Sequence, residues 1–233
     1  MTLLFLISLC IQSALGKTYT VVLDPGHGGS EDGAVGTTGL READFVLDLA
    51  LRTKEKLNEE EDITIILTRT SDVDCGLNER AELANEINAD LFISIHANAA
   101  PSSSLYGIET YSVDVASDAS AKRVASRENA SSAFMMSTFG YGNLLLSLEF
   151  SEMVQHNMVS ELQKQYPSDG IVDLGHKTAM FSVLVKTKMP AILFEAGFLS
   201  NPEEERHLRT AHYRDAMAQA LADSIIEWRE RGK

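Results

Sequence analysis

Apolar residues along this chain gather in short runs: "TYTVVL" (18–23), "ITIILT" (63–68), "LFISIH" (91–96), "GIETYSV" (107–113), "AMFSVLV" (179–185) and "AILFEA" (191–196). Rich in β-branched and aromatic residues, these runs predict strands. Between them, apolar positions recur every three to four residues and predict helices over 41–58, 76–89, 144–166 and from about 211 to the end. Leu77, Ala81, Ala84 and Ile87 share one face of the second, while Tyr213, Met217, Ala220, Leu221, Ile225 and Trp228 form a core-packing stripe on the last. Asn201-Pro202-Glu203-Glu204 reads as a further helix start, with an Asn cap, Pro in the first position and Glu204 closing a capping box. The alternation of strand and helix, with three early strands apolar nearly throughout, predicts one α/β domain whose sheet is covered by helices on both faces. Its 233 residues suit a single core.

Ligands of such sheets collect beyond the carboxyl ends of the strands. The glycine-rich exit from the first run, "LDPGHGG", places His27 there; His96 ends "LFISIH", and Glu195 ends "AILFE". Three ionisable side chains thus reach one edge. The formal charge of −14 excludes nucleic acid and anionic lipid surfaces as partners, because both require a basic face.

The stretch "GHGGSEDG" superficially matches a phosphate loop, but Ser30, Glu31 and Asp32 stand where a helix N-terminus should open, and carboxylates there repel phosphate. Two histidines and one carboxylate instead make the open three-ligand set of a catalytic zinc site. Spacing leaves Glu31, Asp32, Glu42 and Asp44 all eligible as the carboxylate. Glu42 stands at the start of a helix able to aim it back at His27, although a first-turn acid also serves the helix dipole.

The blocks "VVLDPGHGG", "GLREADFVLDLA", "LTRT", "ERAELAN", "LFISIHANA", "GIETY" and "KMPAILFEAGFLSNPEEE" together resemble the zinc-dependent N-acetylmuramoyl-L-alanine amidases of the Amidase_3 type, from about Thr18 to the final helix. The resemblance implies a twisted, mostly parallel sheet of about six strands, one Zn2+ per chain held by His27, Glu42 and His96, and Glu195 as the catalytic glutamate. It also implies cleavage of the bond between the lactyl group of N-acetylmuramic acid and L-alanine of the stem peptide. An amide is a poor electrophile, so hydrolysis needs both a polarised carbonyl and an activated water; zinc supplies both, and a free carboxylate moves the proton. Asn98 and Lys177 match positions near the family's active-site rim and are candidate substrate contacts. The implied partners are peptidoglycan and an activator or targeting protein, with the chain a monomer.

Residues 1–16, "MTLLFLISLCIQSALG", carry no charge and end in a small-x-small pattern, which predicts a secretory signal cleaved before a catalytic domain over 17–233 and a place in the periplasm or cell envelope. The apolar run is too short to span a membrane, so no stable insertion is expected. Cleavage leaves Cys75 as the lone thiol, unable to form an internal disulfide. Arg69 and Arg80 are expected to be structural, paired with surface acids such as Glu79 and Glu82. His156, His207 and His212 fall outside the matching blocks, and His176 has a weaker claim on substrate. Some family members carry a long insertion after a block like "RENAS" (127–131), with a helix that plugs the site. Here 132–146 is short, so looser autoinhibition is expected, or else an apolar patch of Phe134, Met135, Met136 and Phe139 for a partner. The alternatives are another zinc amidohydrolase or peptidase, or a catalytically silent wall-binding protein.

Overall fold

The computed structural model describes residues 18–129 and 141–232. One sheet contains β1 (Tyr19–Pro25), β2 (Ile63–Leu67), β3 (Leu91–Asn98), β4 (Ile108–Ser112), β5 (Asp173–Thr178) and β6 (Ala191–Phe198), in the order β2-β1-β3-β6-β4-β5. β2, β1, β3 and β6 run parallel; β4 lies antiparallel to β6 and parallel to β5. The helices are α1 (Glu42–Lys56), α2 (Leu77–Glu86), α3 (Ala119–Glu128), α4 (Tyr141–Gln165), α5 (Ser182–Val185), α6 (Pro202–Leu208) and α7 (Ala211–Glu230).

Every residue of β3 and β6 is buried, which explains the unbroken apolar runs 91–93 and 191–194 that open them. Successive side chains feed two cores. Leu23, Ile93, Ile95, Ile192 and Phe194 face one, with Phe45, Phe150 and Trp228 of α1, α4 and α7. Val22, Phe92 and Leu193 face the other, with Ala84, Val124 and Leu184 of α2, α3 and α5. The apolar stripe of α7 is buried throughout, whereas Ile87 of the α2 pattern lies just past the helix and is 39% exposed.

Three expectations need correction. The run 179–185 is not a strand: its end turns into α5, with Val185 N donating to Phe181 O at 2.9 Å, and an apolar stretch this short does not distinguish buried strand from buried helix. The fifth strand is instead "DLGHKT", a polar edge paired only with β4, where burial on both faces is not demanded. The sequence pattern also passed over α3, which Asp118 caps through Ala121 N at 2.8 Å. Finally, Asn201 caps α6 as expected, but Glu204 closes no capping box. Its carboxylate accepts from Phe198 N (2.7 Å) and Gly107 N (2.9 Å), tying the end of β6 to the start of β4, while burial pushes it up to about 7 against those bonds. The expected leader at 1–16 and the residues Phe134, Met135, Met136 and Phe139 lie outside the described residues.

Glu205, also on α6 and fully buried, fastens the loop that leads into α1. It accepts from Thr37 Oγ1 (2.6 Å), Thr38 Oγ1 (2.6 Å), Thr38 N (2.8 Å) and Leu40 N (3.2 Å), and a Cβ on Gly36 would run into its carboxylate. Burial raises its pKa, but these donors win and hold it at about 2, below the ordinary 4.5. A carboxylate depressed in the folded state adds stability that is complete above its unfolded value and is lost as pH falls toward its folded one. Glu205→Gln therefore lowers stability by about 2 kcal/mol at pH 7. Denaturation of both proteins from pH 7 downward checks this: the gap narrows between about pH 5 and 2, and a gap independent of pH would show that charge is not what holds the loop.

Candidate metal centre

β1 ends at Pro25, and the chain then turns through His27, Gly28 and Gly29, all with positive φ (55°, 117° and 62°). His27 is the demanding position, since a side chain in this region is disfavoured and needs outside support. The loop crosses directly over β3: a Cβ on Gly26 would collide with the His96 ring, so only glycine permits the approach.

Glu42 opens α1 and is fully buried. Its Oε2 accepts from Ala34 N (2.8 Å), while Glu42 N donates to Ala34 O (2.8 Å), fixing the carboxylate over the loop. Its Oε1 accepts from Ala97 N (3.0 Å) and lies 3.1 Å from His27 Nε2 and 3.0 Å from His96 Nδ1. The other carboxylates that spacing allowed are not in the donor set: Glu31 is exposed and lines the cavity beside it, and Asp32 and Asp44 are exposed partners of Arg41.

A fourth donor joins them. Glu128, the last residue of α3, places Oε2 3.3 Å from His27 Nε2 and 3.2 Å from His96 Nδ1, and the four donor atoms lie within 4.8 Å of one another. A tetrahedral set of nitrogen and oxygen ligands at zinc's usual bond lengths has edges of about 3.3 Å. Although His27 Nε2 faces two carboxylates, it makes no hydrogen bond of proper geometry, as expected of atoms arranged about a common point. Two buried carboxylates also call for two positive charges. Burial lowers the His27 pKa, but Glu42 and Glu128 overcome it and push it up to about 9; against burial, the same carboxylates raise His96 well above its ordinary value. Glu42 is driven the other way, down to about 2, by the imidazoles acting against its own burial. The cluster can hold a metal ion, and a dication matches its charge.

Glu195 is the β6 partner of His96 and, on its other side, of Glu109 in β4. Burial pushes it up to about 8, with Glu128 and Glu42 adding to the rise and Arg127 and His96 opposing it. Arg127 Nη2 lies 3.3 Å from Oε1, and Oε2 has no hydrogen-bond partner. Beneath it, Glu109 accepts from Lys177 Nζ (2.5 Å), Asn98 Nδ2 (2.6 Å) and Tyr111 OH (2.7 Å), while Arg127 also reaches Asn98 Oδ1 (3.1 Å) and Ala99 O (2.8 Å). Asn98 and Lys177 thus stand side by side on one buried carboxylate. Of the remaining histidines, His176 bonds Ser112 Oγ (3.0 Å), His207 pairs with Asp169 (3.3 Å) and stacks on Tyr213, and His156 and His212 are exposed. A cavity of about 50 Å³ opens beside the donors, lined by His27, Glu31, His96, Glu128 and Asn129 among others; it has room for a few waters.

Sequence reasoning brought His27, Glu42, His96 and Glu195 together and missed Arg127, Glu128 and Glu109. Their signals were present: the first two lie in the "RENAS" block and the third is an acid inside a strand-like run. Because Glu128 precedes 132–146, the shortness of that segment does not leave the donor set open. Arg69 and Arg80 do not pair with surface acids: both are buried and donate to backbone carbonyls, and the acid that Arg80 meets is the buried Asp24.

Comparison with known proteins identifies the family. Residues 21–227 match the family profile of N-acetylmuramoyl-L-alanine amidase. The chain is 33% identical over 223 residues to the amidase AmiA of Escherichia coli, covering 91% of this chain and 77% of that one. It is 35% identical over 209 residues to LytC of Bacillus subtilis, covering 90% of this chain but only 35% of LytC. Among solved structures, an N-acetylmuramoyl-L-alanine amidase of Clostridium difficile superposes with a TM-score of 0.74 at 30% identity, over 92% of this chain and 98% of the other. With the family match spanning most of its length and the fold shared with a solved amidase, the chain belongs to the N-acetylmuramoyl-L-alanine amidase family.

Proposed function

We propose that this chain hydrolyses the amide bond between the lactyl group of N-acetylmuramic acid and L-alanine of the peptidoglycan stem peptide, with His27, Glu42 and His96 holding one zinc ion. The observation that carries this reading is the buried donor set beside a glutamate whose Oε2 has no partner. When bound, zinc supplies Lewis acidity toward the carbonyl and makes water acidic near neutral pH. Glu195 takes the proton of the attacking water and returns it to the departing amine. Burial suits it to both steps, because it raises the carboxylate above its ordinary value toward neutral pH. Arg127 steadies the carboxylate through Oε1 and leaves Oε2 for the proton. Of the two expected substrate contacts, Asn98 is buried and spent on Glu109, Arg127 and Ala99 N, and supports the site from within; Lys177, partly exposed and paired with Glu109, remains the candidate contact.

The fourth donor must yield before substrate enters, because a catalytic site keeps one position open. Glu128 is therefore a resident block supplied by α3, and its withdrawal is a natural point of control for an activator. Residues 1–16 act as a cleaved secretory signal, consistent with a wall substrate; among the described residues no helix is long and apolar enough to cross a membrane.

Incubating the purified chain with denuded peptidoglycan and assaying new N-terminal L-alanine tests the reaction. Release stops on adding a zinc chelator and returns with zinc. Folded, zinc-loaded protein that yields no such termini would shift the reading to another bond, and protein that takes up no metal would favour a silent wall-binding role. Glu195→Gln keeps its zinc and slows release by about 10² to 10⁴; an unchanged rate would remove Glu195 from the chemistry. Glu128→Ala keeps zinc on three ligands and releases alanine about tenfold faster, the worth of one lost charge-assisted contact. Slower release would make Glu128 a participant in turnover.

A further inference from the structure

Beyond Pro25 the chain leaves the sheet ladder, and Gly26 N to Ile95 O (3.0 Å) joins the exit loop to β3. The carbonyls of Pro25, Gly26 and His27 then turn beneath the loop, where they need donors. Two buried guanidinium groups meet them. Arg80 donates from Nη1 to Pro25 O (2.7 Å) and from Nη2 to His27 O (2.7 Å); Arg69 donates from Nε to Pro25 O (2.9 Å) and from Nη2 to Gly26 O (2.8 Å). The same Arg69 Nη2 also donates to Ala43 O (2.8 Å). One nitrogen thereby joins the residue before His27 to the residue after Glu42, setting how far apart two donor-bearing backbones stand. Arg80 holds His27 itself in its left-handed conformation, and is anchored by Asp24 Oδ1 (2.8 Å) and by Cys75 O (2.9 Å) ahead of α2.

We infer that Arg69 and Arg80 are positioning residues of the metal centre, a clamp on the backbone of His27 and Glu42 that sets zinc affinity and residence time. The inference rests on the zinc reading above and extends it from the donor atoms to the groups that aim them. Neither arginine touches the donor atoms. The geometry requires arginine, because a lysine's single ammonium cannot reach carbonyls spread over a loop and a helix, whereas the planar fork has donors in several directions. Partners that orient metal ligands are commonly worth 10- to 100-fold in affinity.

The test is zinc affinity and zinc release of the full chain, measured by chelator competition, beside the melting temperature of the metal-free protein. Arg69→Lys and Arg80→Lys are expected to bind zinc about 10- to 100-fold more weakly and release it faster. Leu221→Ala, which opens a void in the core under α7, melts lower yet binds zinc like the parent, separating positioning from stability. If either lysine variant fails to fold, Asp24→Asn provides the measurement: it frees Arg80 from its carboxylate anchor while keeping both arginines, and is expected to quicken zinc release. Zinc affinity and release equal to the parent's in the folded variants would overturn the clamp and leave both arginines as ordinary core supports. A parent chain that takes up no zinc would overturn the metal reading itself, and the clamp with it.

Discussion

Two carboxylates buried within 3.3 Å of two imidazoles form an arrangement that apolar packing alone does not sustain. Isolated buried charge is costly, and Glu42 and Glu128 remain ionised only by drawing positive charge toward them. The consequences reach outward through the fold. Ala34 N and Ala97 N are spent on Glu42, and Gly26 must lack a side chain so that the loop can cross His96. The sheet places His96 and Glu195 as register partners on adjacent parallel strands, so the donor set and Glu195 share one rigid support.

A further tier of charge holds these elements in place. Arg69 and Arg80 gather backbone from beneath the exit loop; Glu205 gathers it from the loop entering α1; Glu204 joins β6 to β4. Each replaces a ladder or helix bond that the backbone forfeits when it leaves regular structure near the site. Arg69 of "LTRT", Arg80 of "ERAELAN" and the last two acids of "NPEEE" are thus explained by backbone geometry as much as by chemistry.

How much of this was legible in the sequence followed from how local its cause was. The central strands were readable because burial on both faces imposes an apolar run, and α7 because its stripe repeats at helical spacing. The edge strand β5 was hidden since a polar strand with one neighbour leaves no such imprint, while the apolar run before α5 suggested a strand that does not form. His27, His96 and Glu195 could be placed at one edge from strand ends alone, but spacing left four carboxylates open and only the resemblance singled out Glu42. Glu128 escaped for a different reason: it reaches the site from a short helix on the second face of the sheet, and only the tertiary fold brings that helix over the strand ends. The partners of Arg69 and Arg80 were misread because a surface acid nearby in sequence is an easier inference than a carbonyl on the far side of a loop.

Arg127 and Glu128 are consecutive residues at the end of α3, one bound to Glu195 and the other set among the four donors. Because the two side chains share one turn of helix, the position of that turn sets both contacts at once. Besides burial, Glu195 thus feels opposed charges from two adjacent residues, Arg127 lowering its pKa and Glu128 raising it, so a lone side-chain rotation at position 128 alters both the exposure of the centre and the acidity of Glu195.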